Sequence, residues 1–299
     1  MPTQPLPIDF STLSATALVT LFCRAQDTTS ANPIVHDPTA VALVQRIRPA
    51  LAGRDDGISR MLVDDNLPPQ LVTFMALRAA YFDSCTVDFL HRAPRGLVVN
   101  LGCGLDTRFQ RLDDGRIHLV DLDLPPVIAF KRNLLEETAR YRFVPSSVLD
   151  LGWQEQLKRD LHPAPDGPVL FLAEGLLMYL PADAVRRLVL NLQANFPGCE
   201  LVAEVFNRAW LHGWRGRLMR RRLQDRLGFG QEATFQSGLG HNREMEEWGA
   251  GIRFLGDWST FDSDHPKMKS MAWLRRFSTI RNLQYAVRYQ LDEPGQRAG

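Results

Sequence analysis

From Gly96 onward, short apolar runs alternate with segments whose apolar residues fall at helical spacing. Leu97–Leu101, Ile117–Leu122, Arg142–Val148, Gly167–Glu174 and Glu200–Phe206 read as strands. The fourth is apolar with almost no break, as a strand covered on both faces must be. Between the strands lie helical stretches near 106–112, from Pro125-Pro126 through Glu137, and over Ala182–Phe196. This alternation predicts a mostly parallel sheet with helices on both sides. Ahead of residue 96 the pattern is helical. Residues 11–25 form one segment, His36-Asp-Pro-Thr-Ala40 is a turn and N-cap, with His36 and Asp37 as capping residues, ahead of a helix over Ala40–Ile47, Gly53–Gly57 is a charged turn, and Pro69–Leu90 is a long helix. Beyond 207 the pattern is less regular. Arg208–Leu227 reads as an arginine-rich helix, Gly228–Gly240 as a mobile loop or lid, and Glu244–Trp248 as a helical turn. Ile252–Ser259 and Gln284–Leu291 read as strands separated by a helix around Met271–Thr279. The division expected is a helical cover over 1–95 and an α/β core over 96–299, with 207–250 as a substrate lid, all in one integrated domain.

The first strand runs into Gly102-Cys-Gly104, where glycines permit a tight turn, and then into a helix opening near Asp106. Strand, glycine turn and helix N-terminus together make a site for a nucleotide-like ligand. Asp121 follows Gly102 by 19 residues, about where such folds place the carboxylate that holds a ribose. A dinucleotide fold wants a third glycine, and Thr107 occupies that position. A weaker phosphate loop suits a cofactor with an adenosine and no pyrophosphate, such as S-adenosylmethionine (SAM). An NAD(P)-dependent oxidoreductase and a binding protein without catalysis remain the rival classes.

Composition narrows the field. The chain has 299 residues, 45% apolar and 23% charged, with a net charge of +1. Such a balance fits an ordinary soluble globule and gives no general attraction to nucleic acid or membrane. Cys23, Cys85, Cys103 and Cys199 are scattered without metal-ligand spacing, which points to free thiols in a reducing cytoplasm. The apolar run Leu13–Cys23 lacks a preceding basic residue and is too short to span a bilayer, so it reads as a helix.

Three blocks carry a family resemblance: Asn100-Leu-Gly-Cys-Gly-Leu-Asp-Thr-Arg108, Asp121-Leu-Asp-Leu-Pro125 and Ala173-Glu-Gly-Leu-Leu-Met-Tyr179. They resemble the leucine carboxyl methyltransferase family, and within it the bacterial branch similar to tetracenomycin-type polyketide O-methyltransferases. The likeness extends through Arg24-Ala25, His36-Asp-Pro38, Ala76–Asp83, Ser146–Asp150 and Trp248–Leu255, covering most of residues 18–291. It implies a class I SAM-dependent methyltransferase, with a Rossmann-like seven-stranded sheet, a helical N-terminal cover and a C-terminal lid insertion. It also implies residue roles. Gly102, with Gly104 in the same turn, matches the glycine against the cofactor. Asp123 matches the acid that takes the ribose hydroxyls, with Asp121 as the alternative. Arg78 matches the arginine for the methionine carboxylate, Arg24 a second basic residue nearby, and Glu174 the acid near the methionine amino group. Ser147 and Val148 stand where related chains carry Asp-Leu beside the adenine, a departure that shifts that contact toward backbone groups or Asp150.

Physical chemistry is consistent with those roles. A carboxylate ending a buried strand, as Glu174 does, is costly without a partner, and open α/β sheets bind ligands at their strand carboxyl ends. Methyl transfer from a sulfonium is an in-line displacement that depends on positioning. A carboxylate acceptor is ionised at neutral pH and needs no base, whereas a hydroxyl benefits from one. No His–Asp pair stands beside the SAM motifs, which favours a small carboxylic acid as acceptor. For a hydroxyl acceptor, His212 and His241 are the candidate bases. The acceptor's identity and the oligomeric state are not legible.

Overall fold

The computed structural model describes residues 15–161, 167–211 and 235–294. The helical prelude comprises α1 (Ala15–Thr28), α2 (Pro38–Ala52), α3 (Gly57–Val63) and α4 (Pro69–Arg92). Asp37 caps α2 through the Ala40 N–H at 2.8 Å. The helix then runs past Ile47 and through Pro49, because Leu51 in its last turn is buried. The turn expected over 53–57 leads into α3. Its cap is Asp56, which accepts from Ser59, and its inward residue is Leu62.

The core follows as β1 (Leu97–Leu101), α5 (Arg108–Leu112), β2 (His118–Asp123), α6 (Pro125–Arg132), β3 (Tyr141–Pro145), α7 (Gly152–Gln156) and β4 (Val169–Ala173). It continues with α8 (Ala182–Asn195), β5 (Cys199–Phe206), β6 (Ile252–Trp258), α9 (Ser278–Arg281) and β7 (Gln284–Leu291). Two helices are shorter than their spacing suggests. α6 stops at Arg132 with Asn133 as its cap, and the helix around 271–279 is a 3-10 segment, Ala272–Arg276, followed by the single turn of α9. Of the arginine-rich stretch, only Arg208–Leu211 is described, with a 3-10 turn at Arg208–Trp210. The rest of it, and residues 228–234 of the glycine-rich loop, lie outside the described residues.

The seven strands form one sheet in the order β3-β2-β1-β4-β5-β7-β6. β7 runs antiparallel to both its neighbours, and the other pairs are parallel. Strand order reverses between β1 and β4. At such a switch point the loops leaving the carboxyl ends diverge and open a crevice. One core cluster lies between the sheet and α8 and includes Val99, Leu101, Phe171, Val185, Leu188 and Val287. A second, on the opposite face, joins Phe82 and Phe89 of α4 to Val98, Leu119 and Leu172. A third holds α1, α2 and α3 together and reaches Leu105 in the glycine turn and Val127 on α6. The N-terminal helices are therefore packed onto the crevice itself.

Candidate active site

The crevice is a cavity of about 410 Å³ at the β1/β4 switch point, a size ordinary for small-molecule sites. Gly102, Gly104, Asp123, Arg24, Arg78 and Glu174 all stand on its wall. Gly102 has φ +64 and Gly104 φ +50, the left-handed region that glycine enters without strain. A Cβ at Gly102 would lie 2.8 Å from Leu176 Cδ1, so the turn is also sterically closed to a side chain. At the end of β2 the Asp123 carboxylate accepts from the Gly104 and Leu124 N–H groups, each at 2.7 Å. Burial raises its pKa above the ordinary carboxylate value, and those two amides oppose the rise.

Asp121 is placed differently. Its carboxylate is buried and meets Lys131 Nζ at 2.6 Å, the Tyr141 hydroxyl at 2.5 Å and Asn100 Nδ2 at 3.1 Å. It thus ties β1, β2, β3 and α6 together and is not on the cavity wall. Of the two acids considered for the ribose, only Asp123 faces the cavity. Ser147 and Val148 are not brought to the wall either. Val148 is packed in the core and its carbonyl accepts from Trp153, while the Ser147 hydroxyl accepts from the Leu149 N–H. His241 is exposed, 3.0 Å from Glu247, and away from the cavity. His212 lies outside the described residues.

At the other end of the cavity Arg78 and Glu174 pair with one another. Arg78 Nε donates to Glu174 Oε1 at 2.8 Å, and its Nη1 donates to Glu204 Oε2 at 3.1 Å. Arg108 Nη2 donates to the second oxygen of Glu174 at 2.7 Å. Arg108 also donates to Asp83 at 2.8 Å, and its Nη1 lies 2.7 Å from Asp106 as an ion pair without hydrogen-bond alignment. Arg111 links Asp83, Asp106 and Asp37. Asp37 in turn accepts from Arg24 Nε at 3.1 Å and from the Thr107 hydroxyl at 2.6 Å. The capping residue of α2 is therefore also a junction between two arginines.

This network sets the local charge states. Burial alone would raise Glu174 and Asp106, yet the adjacent guanidinium groups hold both below the ordinary carboxylate range. Glu204 goes the other way, raised by burial that Arg78 only partly offsets. Asp83, Asp106, Arg108, Arg111 and Glu204 were not singled out from the sequence. Asp106 and Arg108 stand inside the glycine-turn block, and Asp83 ends the block beginning at Ala76, so a signal existed for these three. For Glu204 the only signal is an acid, one of two with Glu200, within a mostly apolar strand.

Sheet order, glycine turn and charged crevice define a methyltransferase of the class I fold, in which SAM is the cofactor. The leucine carboxyl methyltransferase model matches residues 17–193, and the chain belongs to that family. It is 31% identical over 253 residues to the tetracenomycin polyketide synthesis O-methyltransferase TcmP of Streptomyces glaucescens, covering 83% of each chain. It is 35% identical over 191 residues to the SAM-dependent methyltransferase dpfgK of Gibberella zeae, where the match spans 60% of each chain. Among solved structures, a duf574 family protein from Streptomyces avermitilis matches with a TM-score of 0.53 at 15% identity, over 82% of this chain and 95% of that one. That likeness establishes the fold. No helix among the described residues is long and apolar enough to cross a membrane.

Proposed function

We propose that the chain transfers the methyl group of SAM to a carboxylate of a small organic acid, giving a methyl ester. The observation that carries this reading is the pairing of chemistry along one cavity. A carboxylate, Asp123, stands at the glycine turn, and an arginine–glutamate pair, Arg78 and Glu174, stands on the same wall. The donor set fits the cofactor. Arg78 Nη2 has no hydrogen-bond partner among the described residues and offers donors to the methionine carboxylate. Glu174 suits the α-ammonium, Asp123 the ribose hydroxyls, and the side-chain-free turn at Gly102 a close approach of the ligand to backbone. Arg24, anchored by Asp37 and by the Leu105 carbonyl at 2.8 Å, adds a second cation on the same wall.

SAM supplies an electrophilic methyl group when bound. The chain's residues hold the two reactants in line and keep water out. α1 and the α4 residues beside the crevice form the roof for this. No described histidine stands on the cavity wall, and a carboxylate acceptor, already ionised at neutral pH, needs no base. The polyketide context in TcmP's name favours a polyketide-like acid. The segment 207–250 is proposed as the acceptor-side lid, over an α/β core beginning near residue 96, with 1–95 as cover. The four cysteines are free and buried, in keeping with a reducing cytoplasm. Incubation with methyl-labelled SAM and candidate acids tests the reading. The label is expected to be released as methanol by mild alkali, because methyl esters are base-labile. A label that survives alkali would assign a hydroxyl acceptor, and His212 and His241 would then be tested as bases.

A further inference from the structure

The charged network beneath the cavity holds more carboxylates than guanidinium groups. Five carboxylates meet four guanidinium groups. Asp37, Asp83, Asp106 and Glu174 each face two arginines. Glu204 faces Arg78 alone, and its other oxygen accepts from the neutral amide of Gln284 at 2.6 Å. Burial raises its pKa above the ordinary carboxylate value, whereas the donors that both its oxygens meet favour the ionised form. Glu204 is buried on β5, yet its charge is close to the ligand space. Gly175 lines the cavity, and a Cβ there would lie 3.6 Å from Glu204 Oε2. The same point lies 3.7 and 3.8 Å from Arg78 Nη1 and Nη2, so the carboxylate approaches the cavity behind a residue without a side chain and beside its own arginine partner.

SAM and its product S-adenosylhomocysteine (SAH) share adenosine, ammonium and carboxylate. They differ by the methyl group and by the positive charge of the sulfonium. A residue that merely steadies Arg78 acts on both ligands alike. One that supplies unbalanced negative charge through a low-dielectric wall acts on the sulfonium form alone. We infer that Glu204 is a positioning residue that adds, with Asp123 on the wall, to the net negative charge of the site and so favours SAM over SAH, helping spent cofactor to be exchanged for fresh. The inference rests on the SAM reading above.

Titration calorimetry of the full chain with SAM and with SAH tests it. In Glu204→Gln, SAM affinity is expected to fall about tenfold while SAH affinity changes less than about threefold. Glu204→Asp keeps the charge but withdraws the carboxylate, so any drop in the two affinities is expected to be in step, leaving their ratio within about threefold of wild type. Equal losses of SAM and SAH in the Gln variant would assign Glu204 a purely structural role and overturn the inference. A ratio that collapses in the Asp variant would overturn it too, and that variant decides the matter if the Gln variant fails to fold. A wild-type chain that binds neither ligand would instead defeat the SAM reading itself.

Discussion

Replacing Arg108 by Met tests the charged network most severely. The Arg108 side chain is 1% exposed and its guanidinium meets Asp83, Asp106 and Glu174 within 2.8 Å. Methionine fills much of the volume but leaves three largely covered carboxylates short of a cation. Arg111 still serves Asp83 and Asp106, and Arg78 still serves Glu174, so none is wholly orphaned. Removing one partner of a buried pair costs about 3–5 kcal/mol, and the lower end applies here because of those remaining contacts. Against a typical total of about 5–15 kcal/mol, a loss of about 3 kcal/mol lowers the melting temperature by roughly 5 °C. Circular dichroism melts and urea titrations read this directly. The sign of the pH dependence gives a second check. Asp106 and Glu174 are held below their unfolded pKa values, so their contribution is present above about pH 4 and is lost as pH falls through the lower folded values. The gap between wild type and Arg108→Met should therefore narrow below about pH 4. A variant within about 1 kcal/mol of wild type at pH 7 would refute the network's role in stability.

The two acids of β2 should separate cleanly. Asp121→Asn leaves Lys131 buried without its ion pair and is expected to cost about 3–5 kcal/mol of stability in urea titrations, with SAM affinity of the folded fraction nearly unchanged. Asp123→Asn is expected to do the reverse, weakening SAM binding about tenfold by calorimetry while the melt shifts little. Swapped outcomes would return the ribose to Asp121.

The strands were legible because burial on both faces leaves an apolar run that few other structures need. β1 and β7 begin and end where those runs do. α3 was hidden because a charged turn and a short helix share the same residues, Gly53 to Val63, and only one side of that helix packs inward. The helix around 271–279 carries helical spacing that a 3-10 turn satisfies as well over five residues. Within the site, the motif blocks led to Arg24, Arg78, Gly102, Gly104, Asp123 and Glu174, which share one wall. Ser147 and Val148, expected beside the adenine, are not on that wall, since Val148 is drawn into the core beside Trp153. The wider network was not readable, because it joins residues as far apart as Arg78 and Glu204, and no periodicity links charges across separate strands and helices.

Titration of the purified chain with SAM, SAH and NAD bears most directly on the central claim, that the Gly102–Asp123–Arg78–Glu174 cavity is a SAM site. Saturable heats with SAM and SAH, none with NAD, and loss of both SAM and SAH binding in a folded Arg78→Ala variant are expected. Saturable binding of NAD with no response to SAM or SAH would contradict the claim and assign the cavity to a dinucleotide.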